Sequence, residues 1–242
     1  MTYEKREDGR DFKETREITA KAGVIKNADG SAYFKIGNTV AYAAVYGPRN
    51  LFPRFKQDPK KGLLRCNYNM MPFSGMGERV RPGSNRRAKE ISMVTEKALT
   101  PVINLEAFPN SVVDVFIELP ETDAGSRCAG ICAASIALAD AGIKMKDLVA
   151  AVSVGKVDDK LVVDLNYKEE DYPAEVADIP VAWIPSTEEV SLLQMDGSIE
   201  KDQLIEAISN GKEAYQRIIN AQREALKGKY NDVFENGDEN DE

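Results

Sequence analysis

Asp123-Ala-Gly-Ser-Arg127 sets a glycine, a hydroxyl and a guanidinium immediately before Cys128 to Ala141, a run of small residues whose one charge is Asp140. A helix made of Ala, Gly, Ser, Cys, Ile and Leu all round is a buried one. Its first N–H groups lack intrahelical partners and sit at the positive end of the dipole. A Gly-Ser-Arg turn there offers one anion backbone donors, a hydroxyl and a guanidinium fork. Taken alone, the tripeptide also has a blander reading, with Ser126 as an N-cap and Arg127 in a surface ion pair. A second group, Arg86, Arg87 and Lys89, falls on the first turn of a helical pattern that starts at Asn85 and carries Ile91, Val94, Ala98 and Leu99 on one face. Cations oppose the dipole there, which implies a compensating anion. Acids crowd the segment from Asp164 to Asp178, and the chain has no histidine, so proton transfer falls to carboxylates, Lys, Tyr or Cys.

The charge of the chain is unevenly distributed. The formal net charge is -8, but Lys229 to Glu242 holds six acids against one base and reads as a disordered acidic tail, leaving -3 for the body. Between Arg49 and Lys97, twelve Lys or Arg face four acids, a local excess of +8. A basic segment inside an acidic protein is the footprint of a polyanion held locally, or of a subunit contact. The three cysteines, with Cys128 and Cys132 four apart and Cys66 elsewhere, read as buried hydrophobes: an odd number without a secretory signal argues against a disulfide framework. No run approaches the roughly 18 apolar residues of a membrane span, and the charged start MTYEKREDGRDFK is unlike a signal peptide, so a cytoplasmic, soluble protein is expected.

The elements that must hold these residues follow from periodicity. Residues 1 to 13 read as a polar arm, flexible unless Arg6-Glu-Asp-Gly-Arg10 docks. Short strands are expected at Thr15–Ala20, Gly23–Lys26, Gly30–Ile36 and Thr39–Tyr46, the last closed by Pro48 and Pro53. Leu64 to Met71 is a further strand, followed by a glycine-rich loop to Ser84. Thr100-Pro101 kinks or restarts the helix that begins at Asn85. Ser111 to Leu119 alternates as a strand, and Leu148–Val157 with Leu161–Leu165 reads as a hairpin ended by Asp164. An acidic loop, Asn166 to Asp178, leads to a last hairpin, Ile179–Ile184 with Val190–Asp196. Ile199 to Lys227 is a long amphipathic helix striped by Leu204, Ile205, Ile208, Tyr215, Ile218, Ile219 and Leu226.

With these pieces in order, the chain resembles the RNase PH family, most closely the catalytic RNase PH-like subunits of archaeal exosomes. REDGR, NADGSAYFKIGNTVAYAAVYGPR, MPFS, SNRRAKE, DAGSR, SIALADAGI and VDLNYKEED carry the resemblance, from Arg6 to Tyr230. It implies an α+β, RNase PH-like fold (ribosomal protein S5 domain 2-like), a two-layer arrangement of mixed sheets packed on helices. Residues 1–228 would form one catalytic unit of two βαβ-type halves and residues 229–242 the tail. The implied activity is phosphate-dependent 3'-to-5' exoribonuclease action that releases nucleoside diphosphates and, in reverse, adds 3' tails. A non-catalytic RNA-binding ring subunit and a bacterial-type enzyme trimming tRNA ends are the alternatives.

The resemblance also assigns residues and partners. Gly125, Ser126 and Arg127 match the phosphate-binding turn, Arg86 and Arg87 the arginine pair on the RNA backbone, and Arg65 an RNA contact. Asp164 matches the first catalytic aspartate; the second is expected at Asp171, with Glu170 as the rival. Either an aspartic acid, its pKa raised by neighbouring carboxylates, protonates the leaving 3' oxygen, or Asp164 and Asp171 hold Mg²⁺. Inorganic phosphate is the co-substrate. The implied partners are single-stranded RNA, an inactive paralogue alternating in a hexameric ring of three copies each, and RNA-binding cap subunits.

Overall fold

The computed structural model describes residues 3–77, 80, 81 and 85–237. Ser84 of the motifs above, Arg79 of the basic segment, and the last five residues of the acidic stretch lie outside the described residues.

Two sheets share one apolar interior. The first comprises β1 (Ile18–Ala22), β2 (Gly30–Ile36), β3 (Thr39–Asn50), β4 (Leu63–Met70) and β5 (Ser111–Glu121), in the order β1-β2-β3-β5-β4. β4 runs parallel to β5, and α1 (Arg86–Leu99) makes the crossover between them that parallel pairing requires. The second sheet is antiparallel, β10 (Asp196–Gly197), β8 (Val176–Ile184), β6 (Ala150–Val157) and β7 (Lys160–Val163) in that order, with β9 (Glu189–Leu193) also on β8.

The small-residue run forms α2 (Ser126–Asp140), whose small side chains let it pack closely on both sheets. A Cβ at Gly130 would stand 3.2 Å from Ile117 of β5, while Cys132 Sγ accepts from the Ala151 N–H of β6 at 3.3 Å. Cys66, Cys128 and Cys132 are free, buried thiols. The long helix α4 (Lys201–Gly237) completes the interior through Ala207, Ala214, Ile218 and Ile219, and Tyr215 stacks on Trp183 at 5.3 Å.

Several boundaries differ from the sequence reading. Gly23–Lys26 is not a strand but part of the connection between β1 and β2. β3 continues past Pro48 to Asn50, because the missing N–H falls where the pairing with β5 shifts register between Tyr46 and Arg49. α4 runs through the first residues of the expected tail to Gly237. Between Gly228 and Gly237 the sequence has neither Pro nor Gly to stop it, and Lys229 is anchored on Asp140 at 2.5 Å. Ile205 of the expected stripe is 58% exposed. The arm is docked: Tyr3 and Arg6 are buried, and Phe12 O accepts from the Val163 N–H at 2.8 Å. Among the described residues, no helix is long and apolar enough to cross a membrane.

Candidate active site

A cleft of about 780 Å³ opens where α1, the start of α2, the end of β4 and β8 converge. Its floor is the turn Ala124-Gly125-Ser126. Both Ala124 (φ 59°) and Gly125 (φ 62°) are left-handed, and the Gly125 N–H is taken by Glu170. Gly125, and not Ser126, is the N-cap residue, and no side chain caps the helix, so the first donors of α2 are left to an incoming anion. Ser126 is buried on the cleft wall. Arg127, half-buried, donates from Nη1 to Gln194 Oε1 at 2.8 Å.

Arg86 and Arg87 face the same cleft from the first turn of α1, both exposed, and neither forms an ion pair among the described residues. Asn85 caps that turn by accepting from the Ala88 N–H at 2.7 Å. Arg81 lies on the rim. Tyr68 of β4 closes the back of the cleft, and burial pushes its phenol up to about 12, against the pull of Ser126, Arg87 and Arg127, which keeps it neutral.

The carboxylates in the cleft are Glu170, Asp178 and Asp196. Glu170 ends α3 (Tyr167–Glu170), a single turn closed by a capping box in which Asn166 accepts from the Glu169 N–H and Glu169 from the Asn166 N–H. Burial first, and then the charge of Asp178, push the Glu170 carboxyl up to about 7, against Arg87, the Gly125 N–H that it accepts, and Arg127. Asp178 stands on β8 among apolar neighbours, and Ser153 of β6 donates to its Oδ1. Burial raises it above the ordinary carboxylate range, while Ser153 and the arginines 127 and 87 pull it back.

Asp164 and Asp171 are not in this cleft. Asp164 is 1% exposed and accepts from Arg16 through Nε at 2.9 Å, Nη2 at 2.6 Å and the backbone N–H at 2.8 Å, with Arg10 Nη1 at 3.3 Å. Asp171 is exposed at the end of α3. The oxygens of Asp164 are already held by two arginines, and no group of three His, Cys, Asp or Glu suited to a metal occurs among the described residues. Glu169 is also withdrawn, paired with Arg6 at 2.8 Å and accepting from the Tyr3 hydroxyl at 2.6 Å. Arg65 lies on the outer face of β4 and pairs with Asp114 at 2.5 Å, away from the cleft. The crowd of acids is thus sorted by partners: Asp164 and Glu169, each paired with an arginine, serve the scaffold, while Glu170 and Asp178, in no ion pair among the described residues, line the cleft and Asp171 faces outward. In the sequence Asp178 stands at the end of an acidic loop, which hides its place on a strand. An acid two residues into an otherwise apolar strand (VADIPVAWI) was the available signal.

Comparison with known proteins fits this geometry. The model of the 3' exoribonuclease family, domain 1, matches residues 14–144, and that of domain 2 matches residues 147–214. This chain belongs to the RNase PH, or 3' exoribonuclease, family. Exosome complex component Rrp41 of Thermococcus kodakarensis is 51% identical over 93% of this chain and 90% of its own length. The protein of that name in Nitrosopumilus maritimus is 45% identical over 93% and 91%. Among solved structures, rice Rrp46 superposes with a TM-score of 0.80 at 24% identity over 91% of this chain and all of its own. The Archaeoglobus fulgidus exosome with RNA bound to the active site gives 0.75 at 21% over 88% and 91%. Both have the RNase PH-like fold.

Proposed function

We propose that this chain is the catalytic RNase PH-like subunit of an archaeal-type exosome, a cytoplasmic enzyme that shortens single-stranded RNA from its 3' end by phosphorolysis. The observation that carries the reading is the convergence on one cleft of two separate anion-binding features, the uncapped start of α2 and the exposed arginines of α1, in no ion pair among the described residues, with raised carboxyls between them. Two anion sites suit two anionic reactants. Inorganic phosphate is assigned to the Gly125 turn, Ser126 and Arg127, and the RNA backbone near its 3' end to Arg86 and Arg87. Arg65 becomes a contact for RNA on its way to the cleft.

The phosphate oxygen attacks the last phosphodiester, and the shortened chain leaves on its 3' oxygen, which must gain a proton. Asp178 is the acid we assign to that step, in place of Asp164 and Asp171. It is fixed on a strand, one oxygen is held by Ser153, and burial favours its neutral form. Glu170 contacts the turn itself and stands on the phosphate side. The geometry offers no support for Mg²⁺ at Asp164 and Asp171. The relatives' name, exosome complex component, supports assembly into a complex; a ring with an inactive RNase PH-like paralogue and RNA-binding caps is the arrangement proposed.

The test uses RNA of defined length with phosphate dialysed out or added. Decay that requires phosphate and yields nucleoside diphosphates, and untemplated 3' tails when diphosphates are in excess, is the expected result. Full-speed release of monophosphates without phosphate would leave a hydrolase on the same fold.

A further inference from the structure

Behind the cleft one guanidinium ties together the two segments that face each other across it. Arg16 is 8% exposed. Its Nε and Nη2 donate to the two oxygens of Asp164, at the start of the segment that leads to Glu170. From its other side Nη1 donates to the backbone carbonyl of Asp123, at the start of the phosphate turn, and lies 3.7 Å from the Asp123 carboxylate. The residues so bridged are adjacent to or part of strained backbone: Ala124 and Asp164 are both left-handed without being glycine, at 59° and 56°. Such conformations persist only where their surroundings over-determine them. The turn has further ties. Thr39 Oγ1 donates to the Ala124 carbonyl at 2.7 Å and accepts from the Asp123 N–H at 2.9 Å, and Asp123 Oδ1 accepts from the Tyr167 N–H at 3.0 Å. Gly37 leaves room for the stem of this side chain, since a Cβ there would stand 2.3 Å from Arg16 Cδ.

We infer that Arg16, with Asp164 and Thr39, is a positioning residue for phosphate: it holds the left-handed turn so that the donors of α2 converge on one point, and it fixes that turn relative to the segment carrying Glu170. The inference rests on the reading of Gly125, Ser126 and Arg127 as the phosphate site. Arg16 does not line the cleft, so it touches neither reactant.

The test is kinetic, on the full-length chain in the assembly in which the wild type purifies, with inorganic phosphate varied at saturating RNA. Arg16→Lys keeps the charge but has one nitrogen where the bridge needs three. The expected result is a phosphate KM raised on the order of tenfold, as for a displaced binding group, with kcat at saturating phosphate and RNA Kd each within about twofold of wild type. A purely structural role lowers the active fraction, so kcat would fall at unchanged phosphate KM, and that result overturns the inference. So does an equal weakening of RNA and phosphate. If Arg16→Lys does not fold, Thr39→Val removes the hydroxyl on the other side of the turn at nearly constant volume, and the same rise in phosphate KM is required of it. Wild-type decay that needs no phosphate would instead overturn the phosphate assignment itself, and the two failures are told apart by that control.

Discussion

At the scale of residues, the chemistry depends on which carboxylate lacks a cation. Asp164 and Asp178 are both acids on the second half of the chain, yet one is saturated by Arg16 and Arg10 and the other, among the described residues, is held by the Ser153 hydroxyl. Asp178→Asn is therefore expected to slow RNA decay by about 100-fold or more while RNA and phosphate still bind, because an amide supplies no carboxylic proton. Asp164→Asn is expected to behave differently. It leaves buried Arg16 with only the more distant Asp123 carboxylate as counter-charge, and urea unfolding should show a loss of up to roughly 3 kcal/mol. A fully stable but inactive Asp164→Asn protein would return the acid to that position. Glu170 gives a pH prediction. Its carboxyl is raised to about 7, so it is mostly neutral below that pH and charged above it, beside the turn assigned to phosphate. The ionised form repels phosphate, so the phosphate KM of the wild type should rise through pH 7 relative to that of Glu170→Gln, which carries no charge at either end. Parallel pH profiles of the two proteins would remove Glu170 from the phosphate site. The order of acids along the chain did not reveal this sorting, since the arginines that decide it, Arg6, Arg10 and Arg16, lie some 150 residues away and meet them only in the fold.

At the scale of elements, the periodic signals were the legible ones. The buried α2, α1 with its apolar face on Ile91, Val94, Ala98 and Leu99, and the hairpin of β6 and β7 all follow from patterns visible in the chain. The single turn of α3 and the early start of β8 were not visible. A four-residue helix has no period to detect, and two strand residues before Asp178 merge with a polar loop. β4 shows why an edge strand holds its place beside the cleft. Its outward N–H groups at Cys66 and Tyr68 are taken by Glu96 and Ser92 of α1, which protects the edge and fixes the helix on it. The first turn of α1 is then held rigidly, with Arg86 and Arg87 pointing at the cleft against the helix dipole. Arg86→Glu with Arg87→Glu should leave the fold intact, and each replacement should favour the helix itself by a few tenths of a kcal/mol. RNA binding should weaken and its logarithmic salt slope should flatten by up to about two units. Filter binding at several salt concentrations measures both, and an unchanged slope would assign the pair to assembly.

At the scale of the whole molecule, the two halves recognised as separate family domains meet around α2 and α4, and the N-terminal arm ties them a second time. Arg6 makes more of the arm's hydrogen bonds than any other residue of it. Its Nε and Nη2 donate to the two oxygens of Glu169 at 2.8 Å each, Nη1 to the Val163 carbonyl at 2.9 Å, and Nη2 also to the Asp164 carbonyl at 2.8 Å. Tyr3, Phe12 and Tyr172 pack beside it on Val157, Val162 and Leu165. A buried pair of this kind is held in place by its own desolvation cost. Removing one member strands the other charge, at roughly 3 to 5 kcal/mol, whereas replacing both by apolar side chains of similar size is often neutral or stabilising. Arg6→Ala should therefore unfold at markedly lower urea concentration than wild type, and Arg6→Met with Glu169→Leu should recover most of that loss. The recovery is not expected to extend to activity. Glu169 also closes the capping box that sets α3, so the double variant loses the frame that presents Glu170 while keeping the packing of the arm. A stable double variant with a raised phosphate KM would separate the two uses of Glu169. A double variant as unstable as Arg6→Ala would show that the carbonyl contacts of Arg6, and not its ion pair, hold the arm to the second half.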